Sequence, residues 1–261
     1  STSIANPIST LVGYTRVLYH AYASPDKEEV RSPLPDTANT FIRIIAMKHL
    51  SRDHGITILR PENPPAITIN SGEELMVETW DAFTGIRDAS VLTADSLVAQ
   101  ATGPIEVREA EPGDALKVDL LKITPKEEAV HMVIPGRGFL EAEFTEPYPT
   151  VMAYDDGDIV FPSGLRFPIN PSVGFVATTP TYPQSTASDS GPYGGDIDMK
   201  ELVAGSTIYL PVFVPGGMLT FGDCHALVGD GAVAGTGAET SSDIHVRVTL
   251  EKGTNIESPR A

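Results

Sequence analysis

Asp223, His225 and Asp230 fall within eleven residues near the end of the sequence, Phe221 to Gly231, in company with Gly222, Gly229 and Gly231. In an extended chain alternate side chains share a face, so Asp223 and His225 are expected to point the same way. A carboxylate and an imidazole on one face can hold a divalent metal, or work as a carboxylate-oriented base. The glycines permit tight backbone paths on either side. The competing reading is a turn-rich loop whose acids face water, because Asp and Gly are ordinary turn residues. Cys224 lies between the pair and is the only cysteine. Neighbours in a strand point to opposite faces, so it reads as a buried, inert thiol rather than a nucleophile for His225.

The elements that must position this stretch read as short strands. The apolar run Ile208 to Val214, closed by Pro215-Gly216-Gly217, is a buried strand and its turn. A strand–turn–strand layout recurs earlier. Pro65 to Ile69, Ser71-Gly72-Glu73 and Leu75 to Trp80 form one copy; Pro104 to Val107, Glu111 to Asp114 and Leu116 to Leu120 form another. Ala204-Gly205-Ser206 and Ile208 to Leu210 repeat its second half. Leu116, Val118 and Leu120 alternate at period two, and each turn offers a glycine. The expected fold is mainly β, a sandwich or barrel with glycine-rich corners and few short helices. Residues 89–101 could be a short helix or an irregular crossover, and 11–22 is a second helical candidate. Residues 1–40 read as an N-terminal arm, and 41–261 as one β-rich domain that could form two interlocked lobes. Phe41 to Met47 is a strand candidate, Asp155-Asp156-Gly157-Asp158 a hairpin turn, and Phe167 to Ala177 a proline-punctuated strand. Gln184 to Gly195 is a long polar loop, of the kind that often carries function.

Composition excludes several classes. The net charge of −17 argues against a nucleic-acid partner. No apolar run reaches the roughly 20 residues of a membrane span, and the start lacks the pattern of a secretory signal. A soluble, cytoplasmic protein is the expectation. One cysteine rules out an intramolecular disulfide framework and a thiolate zinc knuckle. No Gly-x-Ser-x-Gly elbow, phosphate-binding loop or dinucleotide fingerprint occurs. His20, His49, His131 and His245 lack a second ligand-type residue at a matching spacing.

Four blocks together resemble the acetamidase/formamidase family. They are Ser71 to Ala82, Thr102 to Asp114, Gly191 to Asp198, and Phe221 to Gly231. The resemblance implies a β-rich, commonly oligomeric enzyme that hydrolyses a small amide with a bound divalent metal, zinc ahead of calcium or magnesium. A homodimer or higher homo-oligomer is implied with it. Beside the resemblance, the residues themselves suggest Asp81, Asp223 and His225 as the metal ligands. Asp196, Asp230 and Glu239 are the candidates for moving protons. Tyr193, Gly194, Gly195 and Asp198 are the candidates for holding substrate, with the two glycine amides facing a developing oxyanion.

The chain also departs from the family pattern. Tyr193-Gly194-Gly195-Asp196 stands where His-Gly-Gly-Asn is usual, and Ala232 stands where Gly-Asp-Gly is followed by Glu. Losing a general base costs about 10²- to 10⁴-fold in rate. Altered specificity follows as an expectation. A different reaction on the same scaffold, or a non-catalytic binding role, stays open beside it.

Overall fold

Residues 47–88, 90, 99–126, 128–139, 142–187 and 189–261 are described by a computed structural model. They belong to the unit Met47–Ala261. The arm expected over 1–40, the helix considered for 11–22 and all but Met47 of the strand expected from Phe41 lie outside the described residues. So does most of 89–101.

The chain is a succession of short strands. β1 (Lys48–Leu50), β2 (Gly55–Ile56), β3 (Ile58–Leu59), β4 (Ile67–Ile69) and β5 (Glu73–Thr79) come first. β6 (Ala101–Val107), β7 (Ala115–Pro125) and β8 (Ala129–Val133) follow, then β9 (Tyr148–Asp155), β10 (Asp158–Val160) and β11 (Arg166–Pro168). β12 (Ser172–Ala177), β13 (Gln184–Ser185), β14 (Ser190–Gly191) and β15 (Gly194–Asp196) precede the last four. Those are β16 (Thr207–Pro211), β17 (Leu219–Leu227), β18 (Ala238–Glu239) and β19 (Ser242–Glu251). No α-helix occurs among the described residues, and no helix is long and apolar enough to cross a membrane. The mainly β expectation is met.

Alternation explains the first sheet, ordered β1-β5-β19-β7-β16. Leu75 and Val77, Leu116, Val118 and Leu120, and Ile244, Val246 and Val248 are buried on one face. The residues between them, such as Glu74, Lys117, His245 and Arg247, are less buried. The second sheet runs β11-β10-β9-β8-β18-β17-β12-β15-β14, with β6 joined to β17 and β2 and β4 joined to β6. Its Ile105, Val107, Val173, Val176, Leu219 and Phe221 pack with the buried face of the first sheet in one core. Truncating one of these to alanine should cost about 2–5 kcal/mol.

The repeated strand–turn–strand units are sheet-crossing corners rather than hairpins. β4 joins β6 in the second sheet while β5 pairs with β1 and β19 in the first. β6 and β7 are divided in the same way, as are β16 and β17. By contrast, Asp155 to Asp158 is a true hairpin: Asp155 and Asp158 pair, and Asp156 and Gly157 take positive φ of 51° and 81°.

Candidate functional site

β17 runs through the interior of the second sheet, between β12 and β18, and it carries Asp223 and His225. Asp223 does not continue the extended path. Its φ is +49°, and the pairing with β12 skips the Gly174–Asp223 step between Val173↔Cys224 and Phe175↔Gly222. The carboxylate nevertheless comes to 3.9 Å from His225 Nε2. The two side chains meet as expected, through a left-handed residue instead of a regular strand. Asp198, just past β15, also takes φ +49°, and its N–H donates to Gly174 O at 3.2 Å. Aspartate tolerates this region better than most residues, yet holding two side chains there costs energy that the surrounding structure must supply.

Asp198 Oδ1 lies 3.6 Å from His225 Nε2, and Glu239 Oε1, opposite His225 in the β17–β18 pairing, lies 3.3 Å from it. Asp196, at the end of β15, lines the same cavity as Asp198, Asp223 and Glu239. Three carboxylates thus lie within 4 Å of one imidazole, and a fourth, Asp196, lines the same cavity. His225 is held in a slot walled by two glycines. A Cβ on Gly174 would stand 2.6 Å from His225 Cε1 and 2.8 Å from Asp198 Oδ1; one on Gly237 would stand 2.5 Å from His225 Cδ2. Such approaches are closer than real side chains allow, so both positions require glycine for the ring to sit here.

Burial and mutual repulsion set the protonation of the cluster. Burial, reinforced by Asp198, pushes the Asp196 carboxyl up to about 7. Burial, then Glu239 and Asp196, drives Asp223 well above the ordinary carboxylate range, and burial also raises Asp198. Burial opposes the His225 imidazolium, but Glu239, Asp198 and Asp196 overcome it and carry His225 up to about 9. Burial likewise opposes the Glu239 carboxylate, while His225 holds it below its usual value. Like charges crowded this closely need a cation or protons to coexist.

The chemistry of the donor set fits a divalent ion. One ligand atom each from Asp198, Asp223 and His225 lies within 4.8 Å of the others, compatible with a single ion at bonds of about 2.0–2.2 Å. Asp196 Oδ1, Asp198 Oδ1, Asp223 Oδ1, Glu239 Oε2 and His225 Nδ1 are buried without a hydrogen-bond partner. Buried polar atoms are normally paired, so this concentration of orphans marks a binding point.

The cavity encloses about 140 Å³. Pockets for drug-sized ligands run to roughly 300–1,000 Å³, so this one suits only a small molecule. Ala82, Phe83, Ala99, Ile134 and Ala187 form its apolar wall, and Arg137, Gly235 and Thr236 complete the lining.

Other expected site residues are placed elsewhere. Asp81 is buried, but its carboxylate is already engaged. Oδ1 accepts from the N–H groups of Phe83 (2.9 Å) and Gly85 (3.3 Å), and Oδ2 pairs with Arg87 Nη2 at 3.1 Å and accepts from Ser241 Oγ at 3.5 Å. Its role in the structure is to fix the turn that presents Ala82 and Phe83 to the cavity. Asp230 is exposed and pairs with Lys200 Nζ at 2.6 Å. Tyr193 is buried with Leu59, Phe175 and Ala177, and burial pushes its hydroxyl up to about 12. Gly194 and Gly195 are paired into β12 and β14, and a Cβ on either would collide with the backbone of Val176 or Asp189. None of these five lines the cavity. Ala232 occupies the turn before Gly235, also off the cavity lining. Cys224 is fully buried and its thiol is pushed up to about 11 by burial, in keeping with an inert role.

Gly174, Gly237 and Arg137 carry no local signal of function in the sequence. Asp198 did carry one: Asp196-Ile197-Asp198 and Asp223-Cys224-His225 are two acid-x-ligand pairs, each just after glycine.

A model of the Acetamidase/Formamidase family matches residues 49–188 and 185–260. The chain belongs to this family. The predicted acetamidase/formamidase of the thermophile Thermoanaerobacter tengcongensis is similar in structure, with a TM-score of 0.78 and 36% identity over 82% of this chain and 72% of that one. An acetamidase from Bacillus halodurans gives 0.76 and 31% over 82% and 74%. The acetamidase of Mycolicibacterium smegmatis is 26% identical over 268 residues, 74% of this chain. The chain spans 63–65% of the length of the curated relatives it matches.

Proposed function

We propose that the chain is a metal-dependent hydrolase of a small amide, with a specificity that differs from simple acetamide or formamide. The observation that carries this reading is the convergence of three carboxylates on His225, joined by Asp196 in lining a cavity of about 140 Å³, within a family whose relatives are named acetamidase and formamidase. Asp198, Asp223 and His225 would hold the ion, and an imidazole in the set favours zinc over calcium or magnesium. A divalent cation bound there would supply Lewis acidity to the amide carbonyl.

The chain's own groups account for the rest. The overall change adds water to the carbonyl carbon, breaks the C–N bond and yields a carboxylate and ammonium. Asp196, with its proton affinity raised to about 7, is suited to take a proton from the attacking water and return it to the leaving nitrogen. Glu239, fixed by the Gly237 N–H at 2.6 Å, holds the His225 ring in place. The apolar wall excludes bulk water, which strengthens each of these interactions. The Asn-to-Asp change at 196, on the cavity lining, supports an altered specificity. A homo-oligomer in the cytoplasm belongs to the same reading.

Metal analysis followed by ammonia release from formamide, acetamide and larger amides, before and after chelation, tests it. The expected result is about one divalent ion per chain and amide hydrolysis that chelation abolishes and zinc restores. A protein that takes up no divalent ion, or hydrolyses no amide when loaded, would sink the proposal.

A further inference from the structure

Arg137 lines the cavity that contains Asp196, Asp198, Asp223 and Glu239, and among the described residues it is the only cationic side chain there. It forms no hydrogen bond or ion pair through its guanidinium with any of those acids or with any other described residue. Arg87 bridges Asp81 and Glu128, Arg166 bridges Asp155 and Asp158, and Arg247 pairs with Glu74. Arg60, Arg108 and Arg260 are exposed and, like the exposed Arg137, have no guanidinium partner among the described residues, but only Arg137 lines the cavity.

The backbone beneath Arg137 is nonetheless well fixed. Its N–H donates to Ile134 O at 3.0 Å, and the Phe139 N–H donates to Val233 O at 2.7 Å. A Cβ on Gly138 would collide with the backbone of Ala234, and one on Gly235 would stand 3.3 Å from Arg137 Cβ. Two turns therefore interlock through glycines and seat the arginine at the cavity. The result is a five-donor planar fork on a fixed base, with no acceptor among the described residues, beside a chamber too small for a large ligand.

From this placement we infer that Arg137 anchors a carboxylate on the substrate, so that the preferred substrates are small amides bearing a second, anionic end. The inference rests on the amide-hydrolase reading for its reacting end only. A guanidinium matches a carboxylate with two parallel hydrogen bonds, a fit that a neutral amide cannot equal. The charge balance points the same way. A molecule of net charge −17, four of whose acids line this cavity, disfavours an anion, and Arg137 supplies positive charge at the cavity wall to offset it.

The test compares malonamate with malonamide, which differ in a carboxylate against a neutral amide at equal size. Binding to the zinc-loaded full chain is measured by titration calorimetry for wild type, Arg137→Gln and Arg137→Lys. The expected result is tighter binding of malonamate by wild type, with the malonamate-to-malonamide affinity ratio falling by at least about tenfold in Arg137→Gln and less in Arg137→Lys. Equal binding of both by wild type, or no binding of malonamate, overturns the inference. So does an unchanged ratio in Arg137→Gln, whether both affinities fall together, as for a counter-charge to the acids, or neither does, as for a solvated surface arginine. Ammonia release from the same compounds, read alongside the titrations, separates a failure of the hydrolase reading from a failure of this one.

Discussion

Ser172 stands directly across from His225 in the β12–β17 pairing, and the Ser172 hydroxyl and His225 Nδ1 are both buried without a hydrogen-bond partner. Directly opposed residues share a face with Cβ atoms about 4.5–5.5 Å apart. The Cε1 edge of the ring leans over Gly174, two residues on from Ser172 along β12, so Nδ1 lies on the β12 side. A turn of the Ser172 side chain toward the ring would satisfy both atoms. A partner on Nδ1 would leave the Nε2 lone pair facing the carboxylates, the arrangement that metal-binding histidines usually adopt. Ser172→Ala is expected to weaken zinc binding by about tenfold, and Ser172→Thr to retain most of it. Competition with a chromophoric chelator measures both. Equal affinity for wild type and Ser172→Ala would remove the link.

Gly174→Ala places a methyl group 2.6 Å from His225 Cε1 and 2.5 Å from the Asp223 carbonyl oxygen. The strand must shift or the ring must leave, at a cost of about 1–3 kcal/mol. The expected outcome is a folded protein with strongly reduced metal content, read by circular dichroism and elemental analysis. Full metal occupancy in this variant would show that the slot is not what positions the ring.

The Asp81–Arg87 pair separates support from ligation. Arg87→Met leaves the Asp81 carboxylate buried without its charged partner, a loss of about 3–5 kcal/mol. Asp81→Asn is expected to lose stability while still taking up zinc, whereas Asp198→Ala and His225→Ala are expected to lose the ion. Loss of zinc from Asp81→Asn at a temperature where the chain stays folded would return Asp81 to the ligand set.

The raised proton affinity of Asp196 gives a pH signature in the chelated protein. Its folded value of about 7 lies above the ordinary carboxylate value, so the folded state binds the extra proton. That stability is complete below about pH 4 and is lost as pH rises through about 7. Asp196→Asn removes the penalty, and should stabilise the chelated protein at pH 8 relative to pH 5 by on the order of 2–4 kcal/mol. Denaturant titrations at the two pH values measure the difference. A variant with the same benefit at both would contradict the assignment. Zinc binding by the wild type should tighten over the same rise in pH, since protons and metal compete for one set of atoms.

Much of the architecture was legible because it is local. The period-two alternation of Leu116, Val118 and Leu120 marks the buried face of β7, and Asp-Gly marks the β9–β10 hairpin. Asp223 and His225 could be paired on spacing alone. What lay beyond local pattern is which strand crosses to which sheet. Asp81 and Asp198 look equally good as acids beside turns, and only the tertiary pairings give one an arginine and the other an imidazole. Asp230 and Glu239 are both near His225 in sequence, but the β17–β18 pairing brings Glu239 back while Asp230 remains in the exposed turn. Gly194 and Gly195 read as a possible oxyanion loop because glycine fits both close ligand approach and close strand approach, and the sequence does not distinguish these uses.

The acid cluster draws its members from β15, β17 and β18 and the residue just past β15, over a floor supplied by β12. The site exists only after β12, β15, β17 and β18, spread over residues 172–239, have paired. Each pairing therefore brings negative charge toward negative charge as the sheet closes. A cation available during synthesis would relieve that repulsion as it develops, tying the yield of folded chain to the ionic content of its surroundings as well as to its sequence.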